Sequence, residues 1–312
     1  MTEPQLSSIL ARHGITPTQI TRGAGSSPRL IYLVNNEFVV RCSTTPMHDE
    51  IGKLTRVAGV PCVPELLHAG RLDDDDDTMY YAILRQMPGT DAILAYREMS
   101  TDDLVRVGAD TAAFLDALHQ VRGRAYDIGH YVPTVPEFTG SWRDGHQQYW
   151  RVLTCGVSRL ALVGRSAATV TEAIDRLQSL SGALAFQGGP RLLHNDLHPA
   201  NIIVDGGRLS GVIDWECSQF GEADFELSHL VHWCAFPPEA GMELTPMIES
   251  VFRRRPFCTQ VPDLEQRLTL YQLEHDLNQL VWHGMSDEEN RVARLRDWLD
   301  GRVADMLSGL VS

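Results

Sequence analysis

No stretch of this chain approaches the roughly 18–20 apolar residues needed to cross a bilayer as a helix, so no membrane partner is expected. The opening MTEPQLSSILARHG has no basic segment followed by an apolar block, so no secretory signal is expected and the cytoplasm is the expected compartment. The cysteines Cys42, Cys62, Cys155, Cys217, Cys234 and Cys258 form no C-x-x-C pair. In a chain of this length they are expected to be reduced and mostly buried. The histidines include no H-E-x-x-H, so no zinc site is expected either. Positive charge is scarce: 27 basic residues stand against 41 acidic ones, a net charge of −14. Binding a phosphate backbone needs clustered Lys and Arg, which argues against nucleic acid as the partner. The same balance is compatible with a cationic small molecule, although acidic surfaces also serve solubility. There is no internal repeat, and the one low-complexity segment is Asp73–Asp77. It lacks the alternate ligands, the turn glycine and the closing Glu of a calcium loop, and reads as a solvated loop tip.

What is present fits a soluble chain with two lobes, since 312 residues exceed what one small core requires. Residues 4–13 read as a helix ended by Gly14. RLIYLV and EFVVRCS are β-branched and aromatic runs, separated by Asn35-Asn36, which tolerates positive φ and suits a tight hairpin. Residues 46–58 read as a helix. VPELLHAGRL and TMYYAILRQM read as a second strand pair joined by Asp73–Asp77. After Met87-Pro88-Gly89 the pattern turns helical, with helices expected at 100–121, 140–154, 166–180, 222–235, 244–254, 263–283 and 286–308. One further strand pair, NIIVDGGRLSGVIDW, is turned at Asp205-Gly206-Gly207. The expected class is α+β: a β-rich lobe over 1–87, a hinge at 88–90 and a helical lobe over 91–312.

The stretch RLLHNDLHPANIIV crowds polar side chains into an apolar run. Its order is His194-x-Asp196, then Asn201, then Asp214 at the end of the next strand. Phosphoryl transfer from a nucleotide needs a carboxylate to orient the acceptor hydroxyl and take its proton. It also needs an amide oxygen and a second carboxylate to hold Mg²⁺ across the phosphates. Asp196, Asn201 and Asp214 fit those roles in that order. A kinase further requires a strand cation for the phosphates, paired with a helix carboxylate. FVVRCS supplies Arg41 and HDEIGKL supplies Glu50.

With HNDLHPAN followed by VIDWE, the sequence resembles the aminoglycoside phosphotransferase family and, more widely, the choline kinase-like small-molecule kinases. The family's motif reads roughly H-G-D-[LIF]-H-P-x-N followed by a strand and I-D-[WF]. Asn195 stands where glycine is common, and this departure has no explanation in the sequence. GEADFELSHL resembles the family's G-D-x-x-x-D-L segment, with Asp224 at its second aspartate. The likeness is strong over 192–228 and diffuse elsewhere between about 20 and 235.

The resemblance implies a protein-kinase-like fold and an Mg²⁺-dependent kinase using ATP or GTP. Asp196 would be the catalytic base, Asn201 and Asp214 the metal ligands, and Arg41, held by Glu50, the phosphate contact. Ser26 and Ser27 would offer hydroxyl and backbone N–H groups to phosphate. Leu84 would sit near the gatekeeper position, with the backbones of Arg85 and Met87 on the purine edge. His194, His198 and Asp224 would support the catalytic loop. In related antibiotic kinases carboxylates of the C-terminal helices bind the acceptor's amines, which makes Glu216, Glu222, Glu226, Glu274 and Asp276 candidates, with Tyr271 beside them. A solvated helix face explains each of these equally well. The expected acceptor is a hydroxyl of an aminoglycoside-like or other antibiotic, and the expected assembly a monomer or homodimer. The rivals are a metabolic kinase for an amino alcohol, amino sugar or homoserine-like acceptor, a pseudokinase regulating a partner, and a phosphate-ester hydrolase.

Overall fold

A computed structural model describes residues 3–23, 30–74, 77–127, 140–254, 261–284 and 286–311; Ser26 and Ser27 fall outside them. Among the described residues no helix is long and apolar enough to cross a membrane. The chain divides into two units, Met1–Ala95 with Ala200–Glu216, and Tyr96–Pro199 with Cys217–Ser312.

In the first unit, β1 (Ile20–Arg22), β2 (Leu30–Val34), β3 (Phe38–Ser43), β4 (Leu66–Asp74) and β5 (Asp77–Arg85) form an antiparallel sheet in the order β1-β2-β3-β5-β4. The β2–β3 turn is the Asn-Asn pair, at φ of 59° and 54°, a region asparagine tolerates better than most residues. Alternation along the strands sorts the side chains. Val34, Val40, Cys42, Met79, Tyr81 and Ile83 turn to one core, where Leu6, Ile9 and Leu10 of α1 (Glu3–Arg12) cover them. Those three helix positions follow i, i+3, i+4 spacing and lie on one face. Each buried side chain contributes about 1.5–3 kcal/mol. The alternate residues then fall on the other face: Leu33 opposite Val39 opposite Leu84, and Ile31 opposite Arg41. Strands β4 and β5 run on to Asp74 and Asp77, which pair with each other, so Asp73, Asp74 and Asp77 of the expected loop tip lie in strands.

The same unit holds α2 (His48–Arg56), α3 (Ala92–Ala95) and a small sheet of β6 (Thr90–Asp91), β8 (Ile202–Asp205) and β9 (Arg208–Val212), in the order β6-β8-β9. Gly206 and Gly207 turn the hairpin at φ of 55° and 70°. Because β6 pairs with β8, residues 200–216 join the first 95 residues. That division differs from the expected one, which kept 91–312 together.

The second unit comprises α4 (Thr101–Leu118), α5 (Trp142–Val157), α6 (Gly164–Leu180), α7 (Phe225–Ala235), α8 (Thr245–Arg254), α9 (Leu264–His283), α10 (Glu288–Leu299) and α11 (Arg302–Val311), with β7 (Arg191–Leu193) antiparallel to β10 (Gln219–Gly221). Helices α4 and α5 start at reciprocal capping boxes, Ser100 with Asp103 and Ser141 with Asp144, which satisfy amide groups the first helical turn leaves open. The single helix expected over 286–308 is two, broken at Gly301 (φ 99°), a conformation glycine adopts without a Cβ clash. Helix α9 packs against α5, α6, α7, α10 and α11, which explains why its polar side chains are buried along with its leucines.

Candidate active site

The open face of the first unit's sheet roofs a cavity of about 500 Å³, within the range of small-molecule sites. Val39, Arg41 and Leu84 line it from the strands, and Met87, Asn201 and Asp214 from the connecting strip and the hairpin. Arg41 is almost buried, with one guanidinium nitrogen 2.7 Å from Glu50 Oε1 and another 3.1 Å from Asp214 Oδ1. Its Nε is also buried and has no partner among the described residues. Asp214 is the accessible member of this network, its side chain 38% exposed. It follows β9 with φ at 65°, so the chain turns sharply where the strand ends. The Ile213 N–H donates to Asn201 O at 2.9 Å, which continues the β8–β9 ladder by one pair and fixes Asn201 and Asp214 on facing ends of one hairpin. Lys53, also buried, donates to Glu216 O at 3.0 Å and pairs with Asp49 at 2.9 Å, tying α2 to the segment after Asp214. Nothing in its sequence position marks Lys53 for that role.

The connecting strip needs one correction. The Arg85 N–H donates to Glu65 O at 2.9 Å, so a ligand could use only the carbonyl of that residue. Its side chain pairs with Glu37 at 2.7 Å, and Leu84 is buried at the cavity wall. Met87 packs over Gly211 so closely that a Cβ there would lie 2.5 Å from Met87 Cγ.

In the second unit, the loop that carries Asp196 is held from beneath by one carboxylate. The His194 and Asn195 N–H groups donate to the two oxygens of Glu226, at 2.7 and 3.0 Å. Glu226 has no exposed surface, so it braces this loop and does not reach a solvent-borne acceptor. Charge-assisted bonds to a carboxylate are among the stronger ones, and two adjacent amides fix the loop's direction. Asn195 takes a left-handed φ of 62°. Its side chain donates to Cys217 O at 3.1 Å and bonds the buried His229 at 3.3 Å. Burial pushes His229 down to about 3, so it is neutral there. Asparagine thus supplies the φ that glycine would and adds two anchors. Asp196 lies part-exposed between buried Asn195 and Leu197, and its carbonyl accepts the His198 N–H at 2.7 Å. The His198 ring stands edge to face with Trp233, 4.2 Å between centroids.

The remaining acceptor candidates are engaged inside the second unit's core. Glu222 accepts from Tyr126 and from the Gly188 and Gly189 amides, and its burial raises its pKa. Glu274 accepts from Trp150 Nε1 at 2.6 Å and bonds His146 at 2.7 Å. The Tyr271 hydroxyl accepts from Trp142 Nε1, and Asp276 accepts from Trp298 Nε1. Asp224 forms a two-pronged ion pair with fully buried Arg267, at 2.6 and 2.9 Å, bracing α7 against α9 and leaving the loop itself to Glu226. Of the six, only Glu216, in the first unit, keeps a half-buried position outside that core.

An Asn195→Gly variant is expected to keep the backbone turn and lose both side-chain anchors, lowering stability by about 1–2 kcal/mol. Asn195→Ala adds the cost of a positive φ and should be the less stable of the two. Urea denaturation midpoints measure the difference, and equal midpoints for both variants would remove the φ argument.

A β-sheet unit with an Arg–Glu–Asp network at its cavity, and a helical unit with a braced Asp loop, define a kinase-like class. In fold, the chain is similar to solved aminoglycoside phosphotransferases. A thermostable mutant of aminoglycoside phosphotransferase APH(4)-Ia, in ternary complex with ADP and hygromycin B, superposes with a TM-score of 0.67 at 19% identity, covering 97% of this chain and 98% of that one. ADP-bound aminoglycoside phosphotransferase APH(2'')-Ib gives 0.63 at 17% identity, covering 98% and 99%. Residues 18–245 match the phosphotransferase enzyme family, and the chain belongs to it. Hygromycin-B 4-O-kinase of Escherichia coli is 27% identical over 231 residues, 70% of this chain and 59% of that protein, so the match spans less than two thirds of its length.

Proposed function

We propose that this chain is an ATP- or GTP-dependent kinase that phosphorylates a hydroxyl of an aminoglycoside-like antibiotic. The carrying observation is the Arg41–Glu50–Asp214 network at a cavity that also presents Asn201. Arg41 would contact the phosphates, its unpartnered Nε being one donor in reserve, while Leu84, Met87 and the Arg85 carbonyl would receive the purine. Asn201 and Asp214 are hard oxygen donors on one rigid hairpin, a set that fits Mg²⁺. That ion, when bound, supplies charge neutralisation across the phosphates. Asp196 would orient the acceptor hydroxyl and take its proton as the hydroxyl oxygen attacks the γ-phosphorus in line, with the nucleoside diphosphate leaving. The similarity to Hygromycin-B 4-O-kinase favours an aminoglycoside acceptor over a metabolite.

Thermal-shift measurements with Mg·ATP and Mg·GTP, followed by a nucleotide-diphosphate release assay, test this reading. The acceptors are hygromycin B, other aminoglycosides, macrolides, amino sugars and amino alcohols. Turnover with an aminoglycoside supports it. Turnover confined to an amino sugar or amino alcohol makes the chain a metabolic kinase, and stabilisation by neither nucleotide overturns the kinase reading. Arg41→Lys keeps the charge but loses the planar fork that bridges Glu50 and Asp214. One lost charge-assisted bond costs about 1.5 kcal/mol, so a roughly tenfold rise in the nucleotide's KM is expected, with kcat changed less.

A further inference from the structure

A second cluster of ligating side chains lies in the helical unit, and the proposed phosphoryl transfer makes no use of it. His232 on α7 and His275 and Asp276 on α9 each bring a donor atom to within 4.8 Å of the others. His232 and Asp276 are deeply buried, and each has one side-chain atom that bonds nothing among the described residues. These atoms are Asp276 Oδ1 and His232 Nε2, without a hydrogen-bond partner among the described residues although Asp276 has no exposed surface and His232 almost none.

The remaining atoms of both residues are held in the orientation that a metal ligand requires. Gln272 donates its Nε2–H to Ser228 O at 2.6 Å, so its Oε1 is an acceptor. The His232 Nδ1, 3.1 Å away, must therefore carry the proton, which leaves the lone pair on Nε2. The Trp298 indole N–H holds Asp276 Oδ2 at 2.7 Å, which leaves Oδ1 as the unused oxygen. Such outer partners fix the tautomer and the direction of first ligands at metal sites. Among the described residues no ion pair serves the carboxylate instead. On α10, Arg294 lies over the Phe236 ring at 4.9 Å, and Arg291 donates to Gln279 Oε1 at 3.2 Å. A buried carboxylate and a buried imidazole lone pair facing the same space are costly unless a cation or a proton donor lies between them. His275 is only half buried and also lines a small neighbouring cavity.

We propose that His232, His275 and Asp276 bind one divalent zinc ion that fastens α7 to α9. Two imidazoles and one carboxylate suit a borderline-soft cation with a water as fourth ligand, and they suit Mg²⁺ or Ca²⁺ poorly. The site is separate from Asn201 and Asp214, which stand in the other unit. The sequence shows no zinc spacing because the ligands come from two helices far apart in the chain.

The test uses the full chain without an affinity tag, stripped with a chelator and kept in excess Mg²⁺. Zn²⁺ is titrated in competition with a chromophoric chelator, and Co²⁺ is added in a parallel sample as a spectroscopic substitute. The expected results are one zinc per chain, a raised melting temperature at one equivalent, and a cobalt d–d band of tetrahedral intensity without thiolate charge transfer. Asp276→Asn and His232→Gln should abolish the band. Trp298→Phe, which keeps an aromatic ring in the core but loses the pyrrole half of the indole with its N–H, should weaken zinc roughly ten- to a hundredfold. No stoichiometric zinc, a thiolate spectrum, or affinity equal to the parent in all three variants overturns the proposal. Should the ligand variants fail to fold, the parent's cobalt spectrum and the Trp298→Phe affinity decide.

Discussion

An Asp196→Asn variant is expected to bind Mg·ATP as the parent does and to lose roughly 10²–10⁴-fold in kcat, the usual contribution of a positioned general base. The amide keeps the size and hydrogen-bonding reach of the carboxylate but cannot take the acceptor's proton. The loop should survive the change, because its direction is set by the His194 and Asn195 amides on Glu226 and not by the Asp196 side chain. Asp214→Asn should behave differently. That carboxylate balances Arg41 and faces the cavity, so its removal is expected to weaken nucleotide binding as well as turnover. Isothermal titration with a non-hydrolysable nucleotide, alongside steady-state kinetics, separates the two patterns. If both variants retain parental turnover on a confirmed acceptor, the assignment of Asp196 and Asp214 fails, and the pseudokinase reading fails with equal clarity when the parent turns over.

Arg267→Met is expected to cost about 3–5 kcal/mol, since it leaves Asp224 charged and buried without its partner. For a helical unit of this size that corresponds to a fall in melting temperature of roughly 10 °C. Asp224→Leu alone should cost a similar amount for the converse reason. The double variant, with both charges gone, should recover much of the loss, because an apolar pair of similar volume avoids desolvating two ions. Recovery will be partial, since Arg267 also donates to the carbonyls of Ala183 and Phe186. Chemical denaturation of the four proteins closes the cycle, and additive single effects would show that the pair is not coupled.

The features legible in the sequence were those whose physics is local. The Asn-Asn and Gly-Gly turns, the alternating strands and the hairpin that sets Asn201 opposite the chain before Asp214 could be read because turn chemistry and strand alternation act over a few residues. Arg41 and Glu50 could be paired because strand and helix follow each other directly. The acceptor candidates misled for a different reason. Glu222 and Glu226 carry charge and read as available to a ligand, yet their partners are mostly backbone amides of Gly188, Gly189, His194 and Asn195, which leave no mark in the residue letters. Glu274 and Asp276 find indole N–H groups on α5 and α10, far off in the chain. Asn195 looked like an unexplained departure because its two bonds run to Cys217 and His229, both beyond the motif. The break at Gly301 was hidden by apolar periodicity that continues across it.

The pairing of β6 with β8 has a consequence for biosynthesis. The first unit is built from two lengths of chain, and its cavity has no Asn201 or Asp214 until residue 214 has left the ribosome. A ligand that used those two side chains could not act on the nascent sheet before then. About a hundred residues, 96–199, are translated between the two lengths. An amino-terminal fragment ending at Ala95 would carry Arg41 and Glu50 without the carboxylate that faces them, so ligand-dependent rescue of folding can act only late, after the hairpin has been made.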